Sequence, residues 1–250
     1  MRLATKIHDA LSGMPTIAEG EAAGLKIFSR GADPDFARGT YELPVQETIA
    51  SHLSAGDVFY DIGANIGFFS LIAARRVGPD GQVYAYEPVP RNASAIERSR
   101  DANGLGWLHV FADAVGSKTG HAELLLARHL GGATLATVSM PPDMNGRLEV
   151  RMTTIDASIA EHGLRPPSLV KVDVEGAEMD VFRGMVATLN THRPKIICEI
   201  DDATKAGADR KAREITDFLA SVGYITSPLP LAYANDGWQV SHLLAQPMTM

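Results

Sequence analysis

The 250-residue chain has a single cysteine, Cys198. That excludes an intramolecular disulfide and any zinc site built on several thiolates. No apolar run approaches the roughly 20 residues that a membrane-spanning helix needs, so no membrane partner is expected. Basic residues never cluster beyond a pair such as Arg75-Arg76, and 23 basic against 30 acidic residues leave a net charge of −7. General affinity for phosphate backbones is therefore not expected, and nucleic acid is not the anticipated partner. The opening segment, MRLATKIHDALSGMP, is charged throughout and lacks an unbroken apolar stretch. With so little cysteine, the expected compartment is the cytoplasm. The sequence has no internal repeat, no H-E-x-x-H, no G-x-S-x-G elbow and no Walker A motif, which sets aside the chemistries those motifs carry.

What remains is a globular composition, 45% hydrophobic and 21% charged, in a chain long enough for one sizeable core. Between positions 58 and 200, short apolar runs alternate with amphipathic ones, the pattern of βαβ units and a mostly parallel sheet. Strands are expected at 58–62, 82–86, 108–111, 169–174 and 195–200. Helices are expected at 66–77, from the Pro88/Pro90 turn to Asn103, and at 209–221. A further helix should carry Val181, Phe182, Met185, Val186 and Leu189 on one face. Residues 122–127 and 148–152 read as an antiparallel pair, and late runs near Tyr224 and at 239–244 would close the sheet. The segment 128–146 shows no helical or strand period, and long loops of this kind are disproportionately functional. The anticipated organisation is an N-terminal cap over 1–40 and one doubly wound α/β domain over 41–250.

The strongest local signal is Asp61-Ile62-Gly63-Ala64-Asn65-Ile66-Gly67, a strand end, a glycine turn and a helix start. Glycines admit close backbone approach, and free N–H groups at a helix start favour electron-rich groups. Glu87 follows the second strand, where an acid can accept both ribose hydroxyls of a nucleoside. The dinucleotide fingerprint needs G-x-G-x-x-G, but Asn65 occupies the place of its middle glycine, and Asp61 would set a carboxylate near a diphosphate. Both features weaken a nicotinamide or flavin dinucleotide and favour a ligand that is cationic near the turn. S-adenosyl-L-methionine meets that description.

Together, VFYDIGANIGFFSLIAARRVGPDGQVYAYEPVPRNASAI, LVKVDVEGAEMDVFRGM and PKIICEI resemble the FkbM family of S-adenosylmethionine-dependent methyltransferases over about residues 40 to 200. The D-x-G-A-N-x-G turn, the Glu87-Pro88 pair and K-x-D-V-E-G-A-E carry the likeness, and the Tyr41-Glu42 pair upstream also fits. The resemblance implies a Rossmann-like class I methyltransferase fold, with a seven-stranded, mostly parallel sheet, a reversed last hairpin and helices on both faces. It also implies O-methylation of a small molecule or sugar. Carried over, Gly63, Asn65 and Gly67 would form the turn beneath the methionine part, and Asp61 would orient its amino group. Glu87 and Pro88 would hold the ribose, Asp113 and Ala114 would meet the adenine, and Asp173 would lie beside the sulfonium. Glu42 joins this set.

For catalysis the candidates are Asp173, Glu175 and His129. Strand alternation puts Lys171 and Asp173 on one face, and the spacing of Glu175 and Glu178 places them together at a helix start. His129, in the aperiodic segment beside Gly131-Gly132, is a candidate to take a proton from an acceptor hydroxyl. Asp173, Glu175 and Glu199 offer hard oxygen ligands for Mg²⁺, but no ligand spacing demands a metal and none is expected. The expected reaction is O-methylation of a hydroxylated metabolite, sugar or natural product. The alternatives are a nitrogen or macromolecular acceptor, or nucleoside binding without catalysis.

Overall fold

The computed structural model describes residues 14–127, 133–135, 144–233 and 238–248. Its centre is a seven-stranded sheet in which β1 (Val58–Ile62), β2 (Gln82–Tyr86), β3 (Leu108–Phe111), β8 (Leu169–Val172) and β9 (Lys195–Asp202) run parallel. The strands lie in the order β10-β11-β9-β8-β1-β2-β3, where β10 is Tyr224–Pro228 and β11 is Gln239–Pro247. β11 runs antiparallel to both neighbours, so the last hairpin is reversed as expected. The strand bounds of β1, β2 and β3 coincide with those read from the sequence.

Period-2 alternation sends Phe59, Val83, Leu108, Leu169 and Ile197 into one core and Tyr60, Tyr84, Val170, Ile196 and Cys198 into the other, as a sheet covered on both faces requires. The first core receives α2 (Leu43–His52), α3 (Phe68–Val77) and α4 (Pro90–Asn103). The second receives α5 (Ile155–His162), α6 (Glu178–Arg183), α7 (Val186–Thr191) and α8 (Lys205–Ser221). Ile17, Ala22, Ile27 and Phe36, the last in the short helix α1 (Pro34–Arg38), join the first core. The described part of the anticipated cap therefore packs directly against the domain.

A second sheet of four strands, in the order β4-β7-β5-β6, stands apart. It comprises β4 (Ala114–Val115), β5 (Gly120–Ala127), β6 (Ala133–Leu135) and β7 (Met144–Thr153). The expected antiparallel pair is β5 with β7. Part of the segment read as aperiodic belongs to this sheet, in β6 and the start of β7.

Several boundaries differ from expectation for local reasons. α3 begins at Phe68 because residues 63 to 67 make a turn with left-handed Gly63, Asn65 and Gly67. The helix expected through Leu189 is two helices, broken at Gly184-Met185. A Cβ on Gly184 would lie 2.0 Å from the Gly116 carbonyl oxygen, so the backbones meet there and the helix does not continue. Val186, expected to be inward, is 36% exposed as a result. α8 starts four residues early because the Thr204 hydroxyl caps it, accepting from the Gly207 N–H at 3.0 Å.

Candidate functional site

The C-terminal ends of β1, β2, β8 and β9 converge on one edge of the sheet, the place where open α/β sheets bind ligands. After β1, the N–H groups of Gly63 and Ala64 both donate to the Tyr86 carbonyl at 3.0 Å, which folds the turn over the end of β2. Gly63 has φ +80°, and a Cβ there would lie 1.7 Å from the Asp173 carbonyl oxygen. The turn after β1 thus rests on the chain leaving β8. Asn65 takes φ +51°, a conformation that asparagine tolerates better than most residues.

Glu87 follows β2 and is 6% exposed. Its Oε2 accepts the Asn65 N–H and its Oε1 the Val89 N–H, each at 2.9 Å, and Asn92 Nδ2 reaches Oε1 at 3.4 Å. Burial outweighs these donors and pushes its carboxyl up to about 7. Pro88 sits between Glu87 and Val89, half-buried. The Glu87 carboxylate is thereby fixed by the two turns that frame the crevice.

Asp61 is completely buried on β1. Its Oδ2 accepts the Ser70 hydroxyl at 2.5 Å, while Oδ1 has no hydrogen-bond partner. Burial raises its pKa, and the Lys171 ammonium works against that rise. Lys171 is the register partner of Asp61 across β1 and β8. Its Nζ donates to Asp173 Oδ2 at 2.6 Å and lies 4.9 Å from the Phe69 ring centroid. Burial opposes the charged amine, but Asp173, Asp61, Glu42 and Glu199 together hold its pKa above the ordinary lysine value.

Asp173 follows β8, with its N–H bonded to the Ile62 carbonyl. Glu175 lies outside any helix at φ +54°, and α6 starts only at Glu178. The two glutamates are therefore not on one helical face, contrary to expectation. Burial, with Asp173 and three further acids, pushes the Glu175 carboxyl up to about 9. Glu178 instead turns back to accept the Gly176 N–H at 2.8 Å. Asp113 accepts two hydrogen bonds from Arg151, both at 2.6 Å, so one side of its carboxylate is occupied. Ala114 starts β4 beside it. His129 lies outside the described residues.

The metal ligands weighed from the sequence are not the ones the fold assembles. Asp173 turns to Lys171, and Glu199 lies inside β9 rather than at its end. The neighbours of Glu199 are His242 and Glu42: His242 Nε2 is 3.0 Å from Glu199 Oε2 and 3.3 Å from Glu42 Oε2. Tyr233 donates to Glu42 Oε1 at 2.7 Å. Sequence reasoning missed Lys171 as a site residue, and missed His242 and Tyr233 entirely. A lone histidine beside the apolar Leu243-Leu244-Ala245 run of β11 was the available signal for His242.

The seven-stranded sheet with its reversed last hairpin is the Rossmann-like fold shared with solved methyltransferases. A family model described as the methyltransferase FkbM domain matches residues 61–226. The chain belongs to the FkbM methyltransferase family. It is 30% identical to the 2-O-methyltransferase NoeI of Sinorhizobium fredii over 75% of this chain and 83% of that protein. It is 27% identical to the 31-O-demethyl-FK506 methyltransferase FkbM of Streptomyces tacrolimicus over 62% of this chain and 69% of that protein. The match to the antimetabolite synthetase AmbE of Pseudomonas aeruginosa, 28% identical over 68% of this chain, spans only 10% of that much longer protein. The solved structure of methyltransferase FkbM from Methylobacillus flagellatus shares the fold, with a TM-score of 0.53 at 15% identity over 90% of this chain and 62% of that one.

Proposed function

We propose that the protein transfers a methyl group from S-adenosyl-L-methionine to a hydroxyl oxygen of a small acceptor, a sugar or natural product. The observation that carries the cofactor reading is the fixed Glu87 carboxylate beside the Gly63–Gly67 turn. Glu87 Oε2 accepts one backbone N–H and keeps a lone pair for a ribose hydroxyl, while Oε1 accepts the Val89 N–H and a longer bond from Asn92 that a second hydroxyl can displace. The unpartnered Oδ1 of buried Asp61 calls for a cationic or donor group, which an α-amino group provides. In this reading Asp113, held by Arg151, and Ala114 border the adenine, while Pro88 and Glu42 complete the surround. The names of NoeI and the FK506-pathway relative, both O-methyltransferases, support oxygen as the acceptor atom.

The bound cofactor supplies an electrophilic methyl on a sulfonium. The chain then has to align the acceptor, exclude water and accept one proton. Asp173 is assigned to the acceptor hydroxyl. Its Oδ2 is held by Lys171, which leaves Oδ1 to accept from the substrate. Glu175, pushed up to about 9, stays protonated near neutrality and so serves as a donor rather than a base.

The test is incubation with methyl-labelled S-adenosylmethionine and a panel of hydroxylated saccharides and macrolides. Label on an acceptor oxygen supports the reading. Label only on protein or RNA would replace it with a macromolecular acceptor, and tight cofactor binding with no turnover on any acceptor would favour a non-catalytic role.

A further inference from the structure

Glu42, Glu199 and His242 come from three separate parts of the chain, and the fold brings one ligand atom of each to within 4.8 Å of the others. Glu42 precedes α2, Glu199 lies in β9, and His242 is the register partner of Glu199 on β11. The His242 and Glu42 side chains are each 1% exposed, and that of Glu199 is 14% exposed.

An imidazole nitrogen carries at most one proton, and Nε2 faces two carboxylate oxygens. Its hydrogen bond goes to Glu199 Oε2. Glu42 Oε2 is left buried with no hydrogen-bond partner, although Glu42 Oε1 is satisfied by Tyr233. A buried carboxylate oxygen without a hydrogen bond, aimed at a histidine nitrogen and a second carboxylate, leaves an acceptor that a cation can complete. Lys171 does not meet it. Its ammonium faces Asp61, Asp173, Glu42 and Glu199, four carboxylates around one amine, and its close contact is with Asp173.

We infer that Glu42, Glu199 and His242 form a binding site for a divalent cation. The spacing fits. Metal bonds of about 2.1 Å place adjacent ligand atoms about 3.0 Å apart in octahedral and about 3.4 Å apart in tetrahedral geometry. The observed separations from Nε2 are 3.0 and 3.3 Å, and the two carboxylate oxygens lie within 4.8 Å of each other, so they need only a small approach to share an ion. Two carboxylates with one imidazole select Mn²⁺, Fe²⁺ or Zn²⁺ over Mg²⁺ and Ca²⁺, which prefer oxygen alone. The Tyr233 hydroxyl, donating to Glu42 Oε1, orients that ligand. The inference shares Glu42 with the cofactor surround proposed above but concerns metal binding only, which its test reads independently of methyl transfer.

The experiment is titration of metal-stripped full-length protein with Mn²⁺, followed by electron paramagnetic resonance, with Zn²⁺ in a parallel calorimetric titration. Saturable 1:1 binding is expected, with electron spin-echo modulation showing a ¹⁴N coupling from one imidazole. His242→Gln and Glu42→Gln, chosen to preserve side-chain shape, should each weaken binding at least tenfold, and His242→Gln should abolish the ¹⁴N signal. Wild-type protein that binds neither ion would overturn the inference, as would bound Mn²⁺ without ¹⁴N coupling. The wild-type spectrum decides the matter even where a variant fails to fold. Unchanged affinity in both folded variants would place the ion elsewhere and also refute the site.

Discussion

Gly63→Ala is the substitution for which the structure gives the sharpest expected cost. Position 63 has φ +80°, and an alanine Cβ there would lie 1.7 Å from the Asp173 carbonyl oxygen and 2.8 Å from its carbon. Two penalties follow. The left-handed backbone costs an L-residue about 1–2 kcal/mol. Relieving the overlap must move backbone, because the obstacle is a carbonyl group, and overpacking of this kind costs about 1–3 kcal/mol. Moving that carbonyl also strains the adjacent bond from the Asp173 N–H to the Ile62 carbonyl. Gly56 separates the two terms. It has φ +87°, but a Cβ there meets nothing within 4 Å. Gly56→Ala should therefore lose only the backbone term, about 1–2 kcal/mol, against about 2–5 kcal/mol for Gly63→Ala. In a chain of this size each kcal/mol lowers Tm by about 2–4 °C. Urea denaturation of both variants, paired with S-adenosylhomocysteine titration, reads the difference. Gly63→Ala should also bind the ligand more weakly, because the turn and Asp173 move together. Equal stability of the two variants, with parental binding in Gly63→Ala, would refute the packing of this turn on Asp173.

Asp173→Asn removes the charge but keeps the size. Steady-state kinetics should show kcat/KM for the acceptor down by about 10²–10⁴ with cofactor affinity within a few-fold of the parent. Weak cofactor binding with normal turnover at saturation would instead assign Asp173 to the cofactor. The raised carboxyl of Glu87, at about 7 against 4.5, means that the folded chain keeps a proton the unfolded chain releases. Its contribution to stability is therefore full below about pH 4.5 and is lost as pH rises to about 7, a loss of roughly 3 kcal/mol. Glu87→Gln should flatten that decline in urea midpoints measured between pH 4.5 and 7.5, and an unchanged slope would show that Glu87 is not its source.

The central strands were legible because buried apolar runs sat between clear stop signals. Gly63 after β1, Gly78-Pro79 before β2, Pro88 after it and Gly104 before β3 bound the segments on the sequence alone. The residues assigned to the proposed cofactor were legible for the same reason, since Asp61, Gly63 and Glu87 are placed by local strand ends. The cluster of Glu42, Glu199 and His242 was not. The pairing of Glu199 with His242 depends on the register of β11 against β9, and Glu42 arrives from before the first strand. No local period encodes such meetings. Glu175 misled because its spacing to Glu178 is helical, whereas Gly176 at φ +97° and Glu175 at φ +54° keep the chain out of the helix. The division of one expected helix into α6 and α7 likewise depends on a distant backbone, Gly116 against Gly184.

The most direct test of the account is calorimetric titration of the wild-type protein and Glu87→Ala with S-adenosylhomocysteine, with NAD as the comparison ligand. The account predicts saturable 1:1 binding of S-adenosylhomocysteine to the wild type and no binding of NAD. It also predicts a loss of about 1.5–3 kcal/mol, roughly 10- to 150-fold, in Glu87→Ala, the size of hydrogen bonds to a charged group. Failure to bind S-adenosylhomocysteine, preference for NAD, or unchanged affinity in Glu87→Ala would contradict it.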